Sequence, residues 1–300
     1  MLPIINVVEC DIIFLSYDEP NAEKNYADLC SKAPWAKRVH GVRGSDAAHK
    51  ACAALSESEY FVTVDADNII DPAFLQMRID LDTLGLTQDH VFSWCGKISV
   101  NGLQYGNGGL KLWTKKFVND MQTHEAAAED DANGAVDFCF DHRYYQFNEN
   151  YSTSFICASP LQAWRAGFRE GVKMSLDQGS KATNIKEVWW QNYNRLLIWC
   201  NIGADVENGI WTMLGAREGC YLTACTDWDH NQVRDFDYLT AYWEENYINI
   251  SKADTNEKII QIGEELSTIL GLEVTSFDAA ASSFFKKVYE NTPRIIRRNV

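Results

Sequence analysis

Three short apolar runs, at residues 9–16 (ECDIIFLS), 37–42 (KRVHGV) and 60–64 (YFVTV), alternate with two segments patterned for helices, at 21–31 and 45–56. Runs of this length, rich in Ile, Val and Phe and bounded by turn residues, read as buried strands. The 45–56 segment (SDAAHKACAALS) is rich in small helix formers, and Asn21 stands where the helix at 21–31 would take an N-cap. Strands alternating with helices restrict the chain to the α/β class, with a central, mostly parallel sheet flanked by helices.

Composition narrows the setting. Hydrophobic residues make up 46% of the 300, enough for a sizeable core. The 42 acids against 27 bases leave a net charge of −15, which opposes broad, sequence-blind binding to nucleic acid or to an anionic membrane. Nine cysteines are scattered without a CxxC pair, so neither a structural zinc site nor a disulfide framework is expected. The first 16 residues have no basic n-region, and no apolar run approaches the roughly 20 residues that span a bilayer. The expectation is a cytoplasmic protein with no membrane partner.

Beyond residue 90 the pattern changes. VFSWCGKISV alternates weakly, NGLQYGNGG is rich in Gly and Asn, and a helix is predicted from Thr114. Residues 123–150 are polar and acidic and read as a loop or lid. Helices with aromatic faces are predicted at 186–199 and 208–216, and a helical stripe (Ile259, Ile262, Leu266, Ile269, Leu270) runs through the tail.

The sharpest chemical signal is Asp65-Ala66-Asp67, placed where the third strand ends. Two carboxylates at a strand terminus can converge on one divalent cation, and ligands in open α/β sheets sit beyond the carboxyl ends of strands. Hard oxygen donors suit Mg²⁺ or Mn²⁺, which bridges carboxylates to substrate phosphates and eases expulsion of a diphosphate.

Taken in order, Gly44-Ser45-Asp46-Ala47-Ala48-His49-Lys50, Cys52-Ala53-Ala54, Glu59 through Asn68 (EYFVTVDADN) and Asp71-Pro72-Ala73-Phe74-Leu75 resemble the GT-A class of nucleotide-sugar glycosyltransferases. The likeness covers residues 9–76. Tyr105 to Trp113 (YGNGGLKLW) resembles the Gly-Gly segment that shapes the sugar and acceptor pocket of that class. FLSYDEPNAEKNYADL and LIWCNIGADVENGIW are similar to glycosyltransferases encoded by large tailed bacteriophages. The resemblance implies a GT-A-like (Rossmann-like) catalytic domain over residues 1–250 and a helical C-terminal extension over 251–300.

It also implies roles. Asp67 would ligate Mn²⁺ or Mg²⁺ directly, and Asp65 would contact the ribose, the metal, or both. Ser16, Tyr17 and Asp18 would border the base. Arg43 and Lys50 would reach the nucleotide, and His230, within Asp227-Trp228-Asp229-His230, stands where that class often places a third metal ligand. The implied partners are a nucleoside-diphosphate sugar, UDP-sugar favoured, and an acceptor hydroxyl. A hydroxymethylated base in phage DNA is one acceptor; a glycan or protein hydroxyl is the rival.

Inverting transfer needs a carboxylate to deprotonate the acceptor. Candidates are Glu125, Glu129, Asp130, Asp131 and Asp137, with Glu129-Asp130-Asp131 favoured. Gly106, Gly108 and Gly109 permit close backbone approach to a ligand or a plain hairpin turn. Lys111 follows at once and offers a phosphate contact, but the spacing matches neither a P-loop nor a dinucleotide fingerprint. Trp94, Trp113 and Trp228 stand beside these residues and are expected in the pocket wall; those at 189–211 are expected in the core. A nucleotidyltransferase also uses paired Asp, yet it would want a Gly/Arg/Lys-rich loop after the first strand, where this chain has SYDEPNAEKN. A non-catalytic binding module would show no metal-dependent nucleotide affinity.

Overall fold

A computed structural model of the chain describes residues 2–106, 108–121, 123, 138–275 and 277–292. The chain divides into two compact units: Met1–Ile98 with Gln104–Phe155, and Ser99–Leu103 with Ile156–Val300.

The first unit is α/β. It contains β1 (Asp11–Ser16), α1 (Ala22–Lys32), β2 (Lys37–His40), α2 (Ser45–Leu55), β3 (Tyr60–Asp65), β4 (Asn68–Ile70), β5 (Val91–Ile98), β6 (Gln104–Tyr105), β7 (Leu110–Thr114), α3 (Lys115–Asp120) and β8 (Tyr144–Ser154). The strands order as β2-β1-β3-β7-β5-β8-β4, with β6 on β5. The sheet is mixed. The pairs β2–β1, β1–β3 and β5–β8 are parallel, while β3–β7, β7–β5, β5–β6 and β8–β4 are antiparallel.

Both faces of this sheet are covered, which is why its strands read as continuous apolar runs. Successive side chains point to opposite faces. Ile12, Phe14, Val62, Val64, Leu110 and Leu112 belong to one core, and Ile13, Phe61 and Trp113 to the other. Trp94 and Trp113 are both fully buried. Trp94 stacks on Phe147 at 5.5 Å and meets Phe74 edge-on, and the Trp113 indole donates to Thr63 Oγ1 at 2.8 Å. Both are therefore core residues, which corrects their expected place in a pocket wall.

Residues 144–154 form a strand where the polar sequence suggested loop. Tyr145, Phe147 and Tyr151 pack on the core, but register shifts between Phe147 and Asn150 and between Asn150 and Ser152 break the alternation. Two extra residues before Asn150 and one before Ser152 break the period of two, so no uniform pattern survives in the sequence.

The turn before β3 hangs on one carboxylate. Asp11 Oδ2 accepts from the backbone N–H groups of Glu57 (2.6 Å) and Ser58 (3.1 Å) and from Ser56 Oγ, while Oδ1 lies 2.9 Å from Lys37 Nζ. Burial pushes this carboxyl up, but the Lys37 bond and those from Glu57, Ser58 and Ser56 outweigh it and hold the carboxyl at about 2. Asp11→Ala strips partners from two backbone donors, and an expected loss of about 3 kcal/mol follows. Because the folded value is depressed, Asp11's contribution is full above the ordinary carboxylate value near 4. It is lost as the pH falls through 2, and urea melts at pH 6 and pH 2.5 of wild type and variant should converge in acid.

The second unit is helical: α4 (Pro160–Met174), α5 (Trp190–Asn201), α6 (Gly209–Cys225), α7 (Phe236–Asn246), α8 (Lys252–Leu270) and α9 (Ala279–Asn291). Glycines bring α4 and α6 together. A Cβ on Gly167 or Gly171 would strike the carbonyls of Thr212 and Ala216, and one on Gly215 or Gly219 those of Trp164 and Phe168. On the next residues of α6, Arg217 and Glu218 are both buried. Arg217 donates to Cys200 O at 2.9 Å, and Glu218 accepts from Trp164 Nε1, Tyr242 Oη and Tyr247 Oη at 2.6–2.8 Å. Among the tryptophans expected in the core, Trp199 is buried, whereas Trp189 and Trp190 are 55% and 45% exposed. Trp228 packs edge-on against Phe168 and donates to Tyr238 Oη. No helix among the described residues is long and apolar enough to cross a membrane.

Candidate functional site

The sharp turn from β3 to β4 consists of Ala66 and Asp67, and both of its carbonyls are held. Asp65 N–H donates to Gly109 O (2.8 Å), Asn25 Nδ2 donates to Ala66 O (2.8 Å), and Phe155 N–H donates to Asp67 O (2.7 Å). Asn25 is a buried polar residue on the inner face of α1, between Ala22 and Leu29. This explains why α1 tolerates an amide at a core position: its partner is the acidic turn.

The carboxylates are positioned in the same way. Asn68 Nδ2 donates to Asp67 Oδ1 at 2.6 Å, and Asn68 Oδ1 accepts from Ser154 Oγ at 3.0 Å, so the Asp67 side chain is aimed by a chain of bonds that ends on β8. Burial, followed by the Asp65 charge, pushes the Asp67 carboxyl up to about 7, against the Asn68 bond that favours ionisation; Glu19 adds a smaller repulsion. Burial and a like charge therefore disfavour the ionised form of Asp67 in the protein alone. Lys111 Nζ donates to Gly108 O at 3.0 Å and lies 3.8 Å from Asp65 Oδ2. Lys111 is buried and placed as a partner of Asp65.

The two glycines before Lys111 stand where neighbouring protein atoms leave no room for a Cβ. A Cβ on Gly108 would stand 2.7 Å from Gly96 N, and one on Gly109 would overlap the Asn68 amide and stand 2.9 Å from Asp65 Cβ. Gly109 thereby lets β7 press against the acidic turn.

His49, on the inner face of α2, adds a group that the sequence did not single out. Its Nδ1–H donates to Ser45 O at 2.7 Å, leaving Nε2 buried and without a hydrogen-bond partner. Burial lowers its basicity, so it is a neutral imidazole in the field of Asp65 and Lys111. Its ring is edge-on to Trp113 at 5.5 Å.

The other predicted residues divide. Ser16 is buried, accepts from Arg38 Nε at 2.9 Å and lies 3.0 Å from His40 Nδ1, so its hydroxyl is engaged with those side chains. Tyr17 and Asp18 are exposed at the end of β1, and Tyr17 N–H donates to Glu19 Oε2. Lys50 pairs with Asp46 one helical turn away, at 2.7 Å. Arg43 is exposed ahead of α2. His230 lies in the helical unit with Nε2 3.2 Å from Gly179 O, and Asp229 beside it caps Asn231 N–H. Glu125, Glu129, Asp130, Asp131 and Asp137 lie outside the described residues. Among the described residues no group of three or more His, Cys, Asp or Glu is placed to hold a metal. Glu19, Asn25, Asn68 and His49 were missed. The one available signal was Asn25, a polar residue at a helix position whose neighbours in the period are apolar.

No protein-family model matches the chain, and no curated protein matches it. Among solved structures the chain is similar to a glycosyltransferase involved in the glycosylation of the major capsid of PBCV-1, at 10% identity and a TM-score of 0.28, over 48% of this chain and 92% of that one. It is also similar to the inositol-1-phosphate CTP transferase from T. maritima, at 12% and 0.27, over 50% and 71%. HddC from Yersinia pseudotuberculosis matches at 13% and 0.27, over 53% and 78%. TM-scores this low leave the chemistry to be read from the site itself.

Proposed function

We propose that the chain is a metal-dependent glycosyltransferase that moves a sugar from a nucleoside-diphosphate sugar, UDP-sugar favoured, to an acceptor hydroxyl. The observation that carries this reading is the Asp65–Asp67 pair at the end of β3, held by Gly109, Asn25, Phe155 and Asn68, where burial and then the Asp65 charge push the Asp67 carboxyl up to about 7. Two adjacent hard oxygen donors fit Mg²⁺ or Mn²⁺, ions that take one or two carboxylates and complete their shell with water and substrate phosphates. When bound there, such an ion neutralises the diphosphate leaving group.

The chain's own residues do the rest. Asn68 orients Asp67 so that no side-chain search precedes binding. Lys111 balances Asp65 from the buried side, which leaves the outward charge to the ligand. Tyr17, exposed beyond β1, offers a ring on which a base can stack. A nucleotidyltransferase is disfavoured because the segment after β1 brings a third carboxylate, Glu19, toward Asp67 where that chemistry calls for cationic and glycine-rich phosphate contacts. The −15 net charge favours a neutral acceptor, a glycan or protein hydroxyl, over a base in DNA.

Calorimetric titration with UDP and the other nucleoside diphosphates, with and without Mn²⁺, tests the donor reading. Wild type should bind at least one of them only when metal is present, and binding that ignores metal would overturn the proposal. Incubation of nucleotide sugars with hydroxymethylated and plain DNA tests the acceptor. An unchanged DNA mass across the donor panel is expected, and a mass increase confined to the hydroxymethylated DNA would reverse that choice.

A further inference from the structure

The helical unit holds a cleft of about 520 Å³, within the range of small-ligand sites, and none of its lining residues belongs to the acidic turn. One wall is Trp211, whose ring is fixed edge-on by Trp243 at 4.9 Å and Tyr247 at 5.7 Å. Asn208 lies at the mouth of α6 with φ of +59°, a conformation a non-glycine residue adopts at a cost of about 1 kcal/mol or more, and its Nδ2 is tied to Cys157 O at 3.0 Å. Glu207, Thr255 and Asn256 also line the cleft, and the Glu207 and Asn256 side chains are exposed. Among the lining residues described there is no Lys or Arg, and the single formal charge is that of Glu207.

We infer that this cleft is a binding site for a neutral sugar, one or two pyranose rings, separate from the proposed donor site. The chemistry selects that class. A lone carboxylate without a cation repels phosphorylated and carboxylated ligands. An aromatic wall takes the C–H face of a pyranose, and a carboxylate with two amides offers the mixed acceptors and donors that ring hydroxyls need. A purely apolar ligand would strand those polar groups, at a cost that an unpaired buried group imposes. The ring of Trp211 and the amide of Asn208 are already immobilised, which reduces the ordering cost of binding. The inference stands or falls independently of the donor reading.

Saturation-transfer NMR and intrinsic tryptophan fluorescence with methyl glucoside, methyl mannoside, N-acetylglucosamine and cellobiose test it, with glucose 6-phosphate and uridine as contrasts. At least one neutral sugar should bind, and glucose 6-phosphate should bind about tenfold more weakly than methyl glucoside. Trp211→Ala should abolish the signal, but it also loosens the aromatic cluster, so the exposed positions decide. Glu207→Ala and Asn256→Ala, each with wild-type circular dichroism, should weaken binding about fivefold or more, while Asp67→Ala leaves it unchanged. Absence of binding by every neutral sugar at tens of millimolar would overturn the inference. So would equal affinity in both rim variants, preference for uridine, or loss of binding in Asp67→Ala.

Discussion

Replacing Asp67 by Asn should abolish metal-dependent nucleotide binding while making the metal-free protein more stable above neutral pH. The two effects have one cause. Burial and the neighbouring Asp65 charge push the Asp67 carboxyl up to about 7. A carboxylate raised in the folded state binds its proton more tightly there than in the unfolded chain. Its contribution to stability is therefore complete below the ordinary value near 4, declines as the pH rises toward 7, and is absent above it. The ceiling on that decline is about 4 kcal/mol, at roughly 1.4 kcal/mol per pH unit between the two values. Asn keeps the acceptor for the Asn68 amide but carries no charge, so its stability should stay flat across the same window. Urea melts at pH 5 and pH 8 measure the first effect, with the gap between variant and wild type widening at pH 8. Titration with UDP and Mn²⁺ measures the second, with affinity expected to fall about 100-fold or more, since a hard cation loses one of two anionic donors. A variant less stable than wild type at pH 8 would show that Asp67 is not a charge held under strain.

The second large effect lies in the helical unit. Gly167→Ala and Gly215→Ala should each destabilise the chain by about 2–4 kcal/mol, although Ala is the better helix former by about 1 kcal/mol. The added methyl would stand closer to the carbonyl of Thr212, or to that of Trp164, than real side chains approach a backbone oxygen. The obstructing atoms are backbone, so no rotamer change relieves them, and α4 and α6 must separate. Separation also loosens Trp164, which is fully buried and donates to Glu218. Because one separation accommodates both methyls, the double variant should cost clearly less than the sum of the singles. Chemical denaturation of the wild type, the two singles and the double completes the cycle, and strict additivity would contradict a shared gap.

How far these features could be read in advance differs between the two units. In the first unit the alternation of β1, α1, β2, α2 and β3 was visible because each strand is short, apolar and buried on both faces, and each boundary carries turn residues. Asp65 and Asp67 were legible for the same reason: acids that directly follow YFVTV have to emerge at a strand end. Beyond residue 90 the signal fades. The breaks in register between Phe147 and Ser152 hide a strand inside a polar stretch. Trp94 and Trp113 were misplaced because nearness in sequence to site residues says nothing about which face of a strand a side chain takes. Trp189 and Trp190 erred the other way, since they stand at the very start of α5, before the helix turns inward.

Local pattern by itself determined the α/β class, the order of the first elements and the site of paired acids, because strand burial, helix period and turn chemistry act over a few residues. The tertiary structure alone decided that the sheet is mixed, and that Lys111 and Gly109 lie against Asp65 across the β3–β7 pair. It also brought Asn25 and Ser154 to the same turn from 41 and 86 residues away from their partners. The charge on Asp67 was set at this level too. A carboxyl's proton affinity depends on what surrounds it in space, and no spacing along the chain encodes that surrounding.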